Sequence, residues 1–213
     1  MSELTIAVAK GRLQDEALAL LASAGAAVSS QDLSSRRLAV EDESGHYRFI
    51  FVKSTDVPVY VEYGIADCGV VGRDVLLESG TDLLQPLTLE IGRCRIVVAA
   101  RTGVSLDDLG RLRVATKYPR IAAAHFGTLG RPVEIIELSG SVELAPGLGL
   151  ADCIVDLVES GRTLRENGLK EIEVIGESTG RLVVNRASYQ LKAKLISSLI
   201  GALSGDARRT ADG

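Results

Sequence analysis

The stretch Gly64-Ile65-Ala66-Asp67-Cys68 returns later in the chain as Gly149-Leu150-Ala151-Asp152-Cys153. In both places a short helical pattern ends at the glycine, and an apolar run begins just after the aspartate. Glycine past the last helical residue closes a helix in the left-handed conformation. Each copy therefore reads as helix, glycine cap and strand, and the pair implies two lobes of similar construction. Outward from them, strand-like and helical patterns alternate almost throughout. Leu4–Ala9, Arg48–Lys53, Ala66–Val71, Arg95–Ala100, Arg113–Thr116, Val133–Leu138, Cys153–Val158 and Glu173–Gly176 read as strands. Leu13–Ser23, Val57–Tyr63 and Ser188–Leu203 read as helices, the last one amphipathic. Such alternation implies an α/β fold with mostly parallel sheets covered on both faces. Arg37–Glu41 and Arg48–Val52 flank an Asp-Glu-Ser-Gly turn and form an expected antiparallel hairpin.

The chain is expected to cross between lobes twice, near Glu90–Gly92 and near Glu177–Gly180. Residues 1–90 with 178–213 then form the first lobe and residues 91–177 the second, with a cleft between them as the natural place for a ligand. The final residues SGDARRTADG are expected to fray.

Composition narrows the function classes. The 213 residues are 46% hydrophobic and 24% charged, with a net charge of −4, which suits a packed core and excludes disorder as the main theme. An acidic balance with no Trp and three Phe does not suit a nucleic-acid surface. No segment approaches the roughly 20 apolar residues of a spanning helix. The N-terminal MSELTIAVAKGRL lacks the pattern of a secretory signal, so a cytoplasmic location with no membrane partner is expected. Cys68, Cys94 and Cys153 are widely spaced and read as buried apolar side chains rather than a disulfide or zinc framework.

The segment from Asp152 to Leu164 carries the strongest local chemistry. An apolar strand ends near Asp156, and Glu159-Ser160-Gly161-Arg162-Thr163 then opens a helix. Converging backbone N–H groups and two hydroxyls at such a turn make a phosphate cradle, while Asp156 could accept hydrogen bonds from ribose hydroxyls. The same residues also suit an ordinary helix start, with Ser160 or Thr163 as the cap. No Walker-type G-x-x-x-x-G-K-[ST] loop is present. The acid-then-loop order resembles the 5-phosphoribosyl-1-pyrophosphate (PRPP) motif of phosphoribosyltransferases.

Further segments extend the resemblance: Ala9-Lys10-Gly11-Arg12-Leu13, Ser35-Arg36-Arg37-Leu38, Asp56-Val57-Pro58 running into Gly64–Asp67, Gly72-Arg73-Asp74, Lys117-Tyr118-Pro119, and Gly140-Ser141-Val142-Glu143. In this order they resemble the ATP phosphoribosyltransferase family from about Leu4 to Lys194. The resemblance implies a fold like the type II periplasmic binding proteins, with the first lobe completed by the C-terminal segment. It implies transfer of phosphoribosyl from PRPP to N1 of ATP, the opening step of histidine biosynthesis. Arg12 and Arg36 are then the guanidiniums facing pyrophosphate or ATP phosphates. Glu143, Asp156, Ser160, Gly161, Arg162 and Thr163 form the PRPP side; Lys10, Lys53, Asp67, Gly72 and Asp74 form the ATP side. Mg²⁺ would enter chelated by PRPP, with no protein-only metal site.

Lys53 departs from the pattern, standing where the family motif carries Arg three residues before Asp-Val-Pro. Lys keeps the charge but loses the planar fork. The length implies the short family form, a homodimer joined to a separate regulatory subunit similar to a histidyl-tRNA synthetase core. Each residue also has a plainer reading. Arg12 could begin a helix, Arg36 could be a solvated edge charge, Asp67 could open a strand, and Glu143 could cap a turn. A small-ligand binding or sensor module of the same fold is the alternative function, because fold does not decide activity.

Overall fold

The computed structural model describes residues 4–34, 37–42, 44–106 and 110–211, with side chains described through residue 205. The chain divides into two compact units, residues 1–92 with 179–213 and residues 93–178. In the first unit, strands β1 (Leu4–Ala9), β2 (Ala39–Glu41), β3 (Tyr47–Val52), β4 (Cys68–Gly72) and the end of β9 (Leu169–Val184) lie in the order β2-β3-β1-β4-β9. β1 pairs in parallel with β3 and β4, whereas the β2–β3 hairpin and the β4–β9 pair are antiparallel. In the second unit, β5 (Leu84–Arg101), β8 (Cys153–Val158), β6 (Leu112–Thr116) and β7 (Val133–Glu137) follow in that order. There β6 pairs in parallel with β7 and β8, and β5 runs antiparallel to β8. The expected parallel core is thus present in each unit, with one long antiparallel strand added beside it. Those two strands, β5 and β9, carry the chain past the division points at 92/93 and 178/179. They extend well beyond the short strands expected at Arg95–Ala100 and Glu173–Gly176.

Period-two alternation builds two apolar layers on each sheet. Leu4, Ile6 and Val8 of β1 face Leu13, Ala17 and Leu21 beside and on helix α1 (Gln14–Ser23), and Ile196, Leu199 and Leu203 of the last helix. Ala7 and Ala9 face the other way, toward Val57 and Val61 of the helix that precedes β4. In the second unit Ile96, Val98 and Val114 pack against Ile121 and Phe126, while Val97, Ala99 and Ala115 pack toward Val142 and Leu164.

The remaining helices follow as α2 (Ser30–Ser34), α3 (Val57–Glu62), α4 (Arg73–Ser79), α5 (Pro119–Thr128), α6 (Arg162–Glu166), α7 (Arg186–Leu191) and α8 (Ala193–Ala211). The single amphipathic helix expected over Ser188–Leu203 is therefore two. Asn185 caps α7 by accepting from the Ser188 N–H at 2.9 Å, and the helical path breaks at Lys192. The backbone of α8 stays helical through Ala211, past the point where fraying was expected; Ala and Arg in this segment are strong helix formers.

Leu199 is about 1% exposed within the α1–α8 layer. We expect Leu199→Ala to lower the unfolding free energy by about 3 kcal/mol, as buried Leu truncations do. Urea unfolding would check this through a lower midpoint with unchanged slope.

Candidate functional site

The repeated five-residue stretch has one geometry in both units. In the first copy, Gly64 (φ 70°) closes α3: its N–H donates to Val61 O at 3.0 Å, and the Ile65 N–H donates to Tyr60 O at 3.0 Å. In the second, Gly149 (φ 75°) donates to Pro146 O at 3.3 Å, and Leu150 donates to Ala145 O at 3.0 Å. The aspartate that follows then grips the backbone of the neighbouring parallel strand. The Asp67 N–H donates to Thr5 O at 2.8 Å, and its carboxylate accepts from the Thr5 N–H at 2.9 Å. The Asp152 N–H donates to Arg113 O at 2.8 Å, and its carboxylate accepts from the Arg113 N–H at 2.8 Å. A cation completes each clamp. Lys192 Nζ lies 2.7 Å from Asp67 Oδ2, and Arg113 Nη2 lies 2.9 Å from Asp152 Oδ1.

Asp67 is therefore a structural carboxylate, and the structure does not bring it to the other ATP-side candidates. It stands at the start of β4, roughly 20 Å along the strand from Arg73 at about 3.3 Å per residue. The glycine-capped turn delivers its aspartate to the beginning of a strand, whereas the remaining candidates follow strand ends.

At those ends the first unit gathers positive charge. Lys10 follows β1, Lys53 follows β3, and Gly72 ends β4; both lysines are exposed. The Lys10 N–H bonds Val52 O at 2.8 Å, which ties the two strand ends together. Arg12 precedes α1, and its Nη1 donates to Gly92 O at 2.7 Å, while Glu16 accepts from the Gly92 N–H at 2.9 Å. Gly92 has φ 58°, and a Cβ there would run into the Leu13 side chain, so this clamp requires glycine. Asp74, in the first turn of α4, is 4% exposed; a Cβ on Gly72 would overlap its carboxylate. Arg36 lies outside the described residues.

Arg181 of β9, opposite Val71, was not anticipated. Its buried Nη1 has no hydrogen-bond partner among the described residues. Burial and the neighbouring Arg73 push this guanidinium below its ordinary pKa, and Glu90 acts in the opposite direction. The antiparallel register that seats Arg181 beside Arg73 leaves no signal in sequence spacing.

In the second unit the PRPP-side candidates cluster around the end of β8. Asp156 is half-buried, and its Oδ1 accepts from the Leu157 N–H at 2.8 Å. Burial pushes its carboxyl above the ordinary range, the Leu157 N–H and Lys117 draw it down, and Glu143 pushes it up. Glu143 sits in a 3₁₀ turn (Val142–Leu144) entered through Ser141, which at φ 50° is the non-glycine residue with positive φ among the described residues. Ser160, Arg162 and Thr163 are exposed, and Gly161 (φ 73°) starts α6 with no side-chain cap. The Arg162 N–H approaches Ser160 Oγ at 3.4 Å, and Arg165 donates to Ser160 O at 3.2 Å. Neither hydroxyl thus acts as the cap of α6. The described residues include no group of three or more His, Cys, Asp or Glu positioned to hold a metal ion. Cys68, Cys94 and Cys153 are buried thiols outside any disulfide, and burial pushes Cys68 and Cys153 up to about 12.

The ATP phosphoribosyltransferase (HisG) family model matches residues 53–205. The chain belongs to the ATP phosphoribosyltransferase family. It is 49% identical over 201 residues to ATP phosphoribosyltransferase of Syntrophotalea carbinolica, covering 92% of each chain. It is 48% identical over 207 residues to the enzyme of that name from Neisseria meningitidis, covering 95% of each. Among solved structures, the ATP phosphoribosyl transferase (HisG:HisZ) complex from Thermotoga maritima matches with a TM-score of 0.83 and 36% identity, over 95% of this chain and 97% of that one. The aliphatic sulphonate binding protein SsuA of Escherichia coli matches with a TM-score of 0.61 at 14% identity, over 96% of this chain and 72% of that one. That likeness establishes the periplasmic-binding-protein-like α/β fold. No helix among the described residues is long and apolar enough to cross a membrane.

The second clamp gives a pH prediction. The Arg113 side-chain hydrogen bonds hold Asp152 below its ordinary 3.8; burial opposes them and the Arg113 N–H assists. A folded value below the unfolded one stabilises the protein above the ordinary carboxylate range and is lost as pH falls through the lower folded value. Asp152→Asn should lower the urea midpoint at pH 7. Over the acid range the variant should lose less further stability than wild type, and parallel acid profiles would refute the assignment.

Proposed function

We propose that this chain transfers the 5-phosphoribosyl group of PRPP to N1 of ATP and releases pyrophosphate, as the first step of histidine biosynthesis. The single observation that carries the reading is its membership of the ATP phosphoribosyltransferase family across most of its length. The distribution of charge supports it. The strand ends of the first unit carry Lys10, Arg12 and Lys53, with Arg73 and Arg181 nearby, which suits a nucleotide's phosphates. The second unit offers the Ser160–Thr163 loop for the 5-phosphate of PRPP, and Asp156 with Glu143 for its ribose hydroxyls.

Adenine N1 already holds a lone pair, so the bond from N1 to C1 forms without a strong base as the bond from C1 to the pyrophosphate oxygen breaks. What the residues supply is alignment of two anionic substrates and neutralisation of the leaving group. Arg12 anchors on Gly92 O through Nη1 and brings a guanidinium, a group suited to phosphate oxygens, to the strand-end cluster. With Arg36 it is assigned to the pyrophosphate. Gly72 leaves room for Asp74, and both stay on the nucleotide side with Lys10 and Lys53. Asp67 is withdrawn from that side, because its carboxylate is engaged by Thr5 and Lys192. Mg²⁺ enters as part of the substrate, chelated by PRPP, and offsets charge on the departing pyrophosphate.

We also propose a homodimer that assembles with a separate regulatory chain like a histidyl-tRNA synthetase core, in the cytoplasm. The HisG:HisZ complex of the Thermotoga maritima relative supports assembly with a second kind of chain. So do Tyr63, Ile65 and Leu191, which are 77%, 63% and 85% exposed.

The decisive assay incubates the chain with ATP, PRPP and Mg²⁺, with and without such a regulatory chain, and identifies products by mass spectrometry. We expect a phosphoribosylated ATP. Absence of product in both arms would overturn the reading, and ligand binding without turnover would favour the sensor alternative. Replacing Ser160 and Thr163 together by Ala should raise KM for PRPP about tenfold or more, the scale of a lost hydrogen bond to a charged group. KM for ATP should stay nearly unchanged.

A further inference from the structure

Lys117 is the first of two residues between the end of β6 and the start of α5, and its position is tightly specified. Thr116, fully buried, donates from Oγ1 to Val155 O at 2.7 Å and accepts from the Tyr118 N–H at 2.8 Å. The Leu138 N–H donates to Thr116 O at 2.9 Å, closing the same strand end from the β7 side. Pro119 then opens α5. Parallel register pairs Ala115 with Ile154 and Thr116 with Val155, so the next position sets Lys117 beside Asp156. On the opposite flank Asp156 is paired with Val97, which contributes no charge. Lys117 and Glu143 are the charged groups acting on Asp156, one from the end of β6 and one from the 3₁₀ turn.

Asp156 is half-buried with a second carboxylate, Glu143, acting on it, and a cation beside it favours its ionised form. A pentose with vicinal hydroxyls needs acceptors, and a protonated carboxyl spends an oxygen as a donor. The geometry points to Lys117 as a positioning residue of the pentose subsite: its ammonium, set beside Asp156 by strand register, supplies the counter-charge that lets Asp156 and Glu143 serve together as acceptors for the hydroxyls of a phosphorylated ribose. This rests on the phosphoribosyl-transfer reading and deepens it. Lys117 itself is exposed, and the Thr116 hydroxyl holds the chain beside it by bonding Val155 O and the Tyr118 N–H, so the Lys117 side chain is replaceable without loss of the fold.

The test compares Lys117→Met and Lys117→Arg with wild type. Removing the cation raises the Asp156 pKa, so at acid pH a larger fraction of the carboxyl is protonated. The acid limb of kcat/KM for PRPP in Lys117→Met should therefore move to higher pH by roughly half to one unit. Lys117→Arg should return it to the wild-type position, and KM for ATP should be unaffected. Carbon-13 NMR titration of the Asp156 carboxyl, assigned through Asp156→Asn, should show the same displacement in protein without substrates. An unmoved carboxyl titration, or a loss uniform across pH that Arg does not rescue, would overturn the role of Lys117. A wild-type chain that makes no product while its Asp156 titration still responds to Lys117→Met would refute the enzymatic reading and leave the electrostatic pairing standing.

Discussion

A carboxylate at the start of an inner strand holds the register of each unit. Asp67 exchanges two hydrogen bonds with Thr5, and Asp152 exchanges two with Arg113, in each case through one N–H and one carboxylate oxygen. A slip of one residue would turn every side chain of the strand to the opposite face. In β4 such a slip would exchange Val70 and Val71 between the two apolar layers, and in β8 it would exchange Ile154 and Val155. A charged anchor is a more exact register device than a set of interchangeable aliphatic contacts, because a misplaced carboxylate would lose its N–H donor and its cation together.

The effect of that anchor appears at the far end of the same strands. Because β4 begins just after Asp67, it ends at Gly72, and Arg73 and Asp74 follow at the level of Lys10 and Lys53. Because β8 begins after Asp152, Val155 pairs with Thr116, and Asp156 and Lys117 are the next positions along the two paths. The candidate site residues are thus placed by hydrogen-bonded pairs at the opposite ends of their strands. The last two helices serve the same purpose: the break between α7 and α8 falls at Lys192, whose ammonium reaches Asp67.

The two units differ in electrostatic character while sharing construction. The first presents mainly cations at its strand ends, including a buried Arg181 nitrogen with no acceptor among the described residues. The second mixes carboxylates with one ammonium and a polar loop. An excess of positive charge favours polyphosphate, and a balanced acidic set favours hydroxyl donors. Gly92 lies at the end of the first unit, with both backbone groups held by Arg12 and Glu16. A residue proposed to touch phosphate therefore also holds the backbone where the chain leaves that unit.

The sequence by itself determined the α/β alternation, the glycine-capped turns, the apolar faces and the Asp156–Thr163 loop. These are local: they depend on side-chain period, on left-handed backbone at glycine, and on residue order within a few positions. The family resemblance was legible for the same reason, since its motifs are short runs such as Lys10-Gly11-Arg12 and Gly72-Arg73-Asp74. Only the tertiary structure decided which end of a strand each motif occupies. It moved Asp67 from the ligand side to a register clamp, brought Arg181 to Arg73 across an antiparallel pair, and set Lys117 beside Asp156 across a parallel one. Those meetings join residues far apart in the chain through backbone register, and register is a property of paired strands that no single strand's sequence contains.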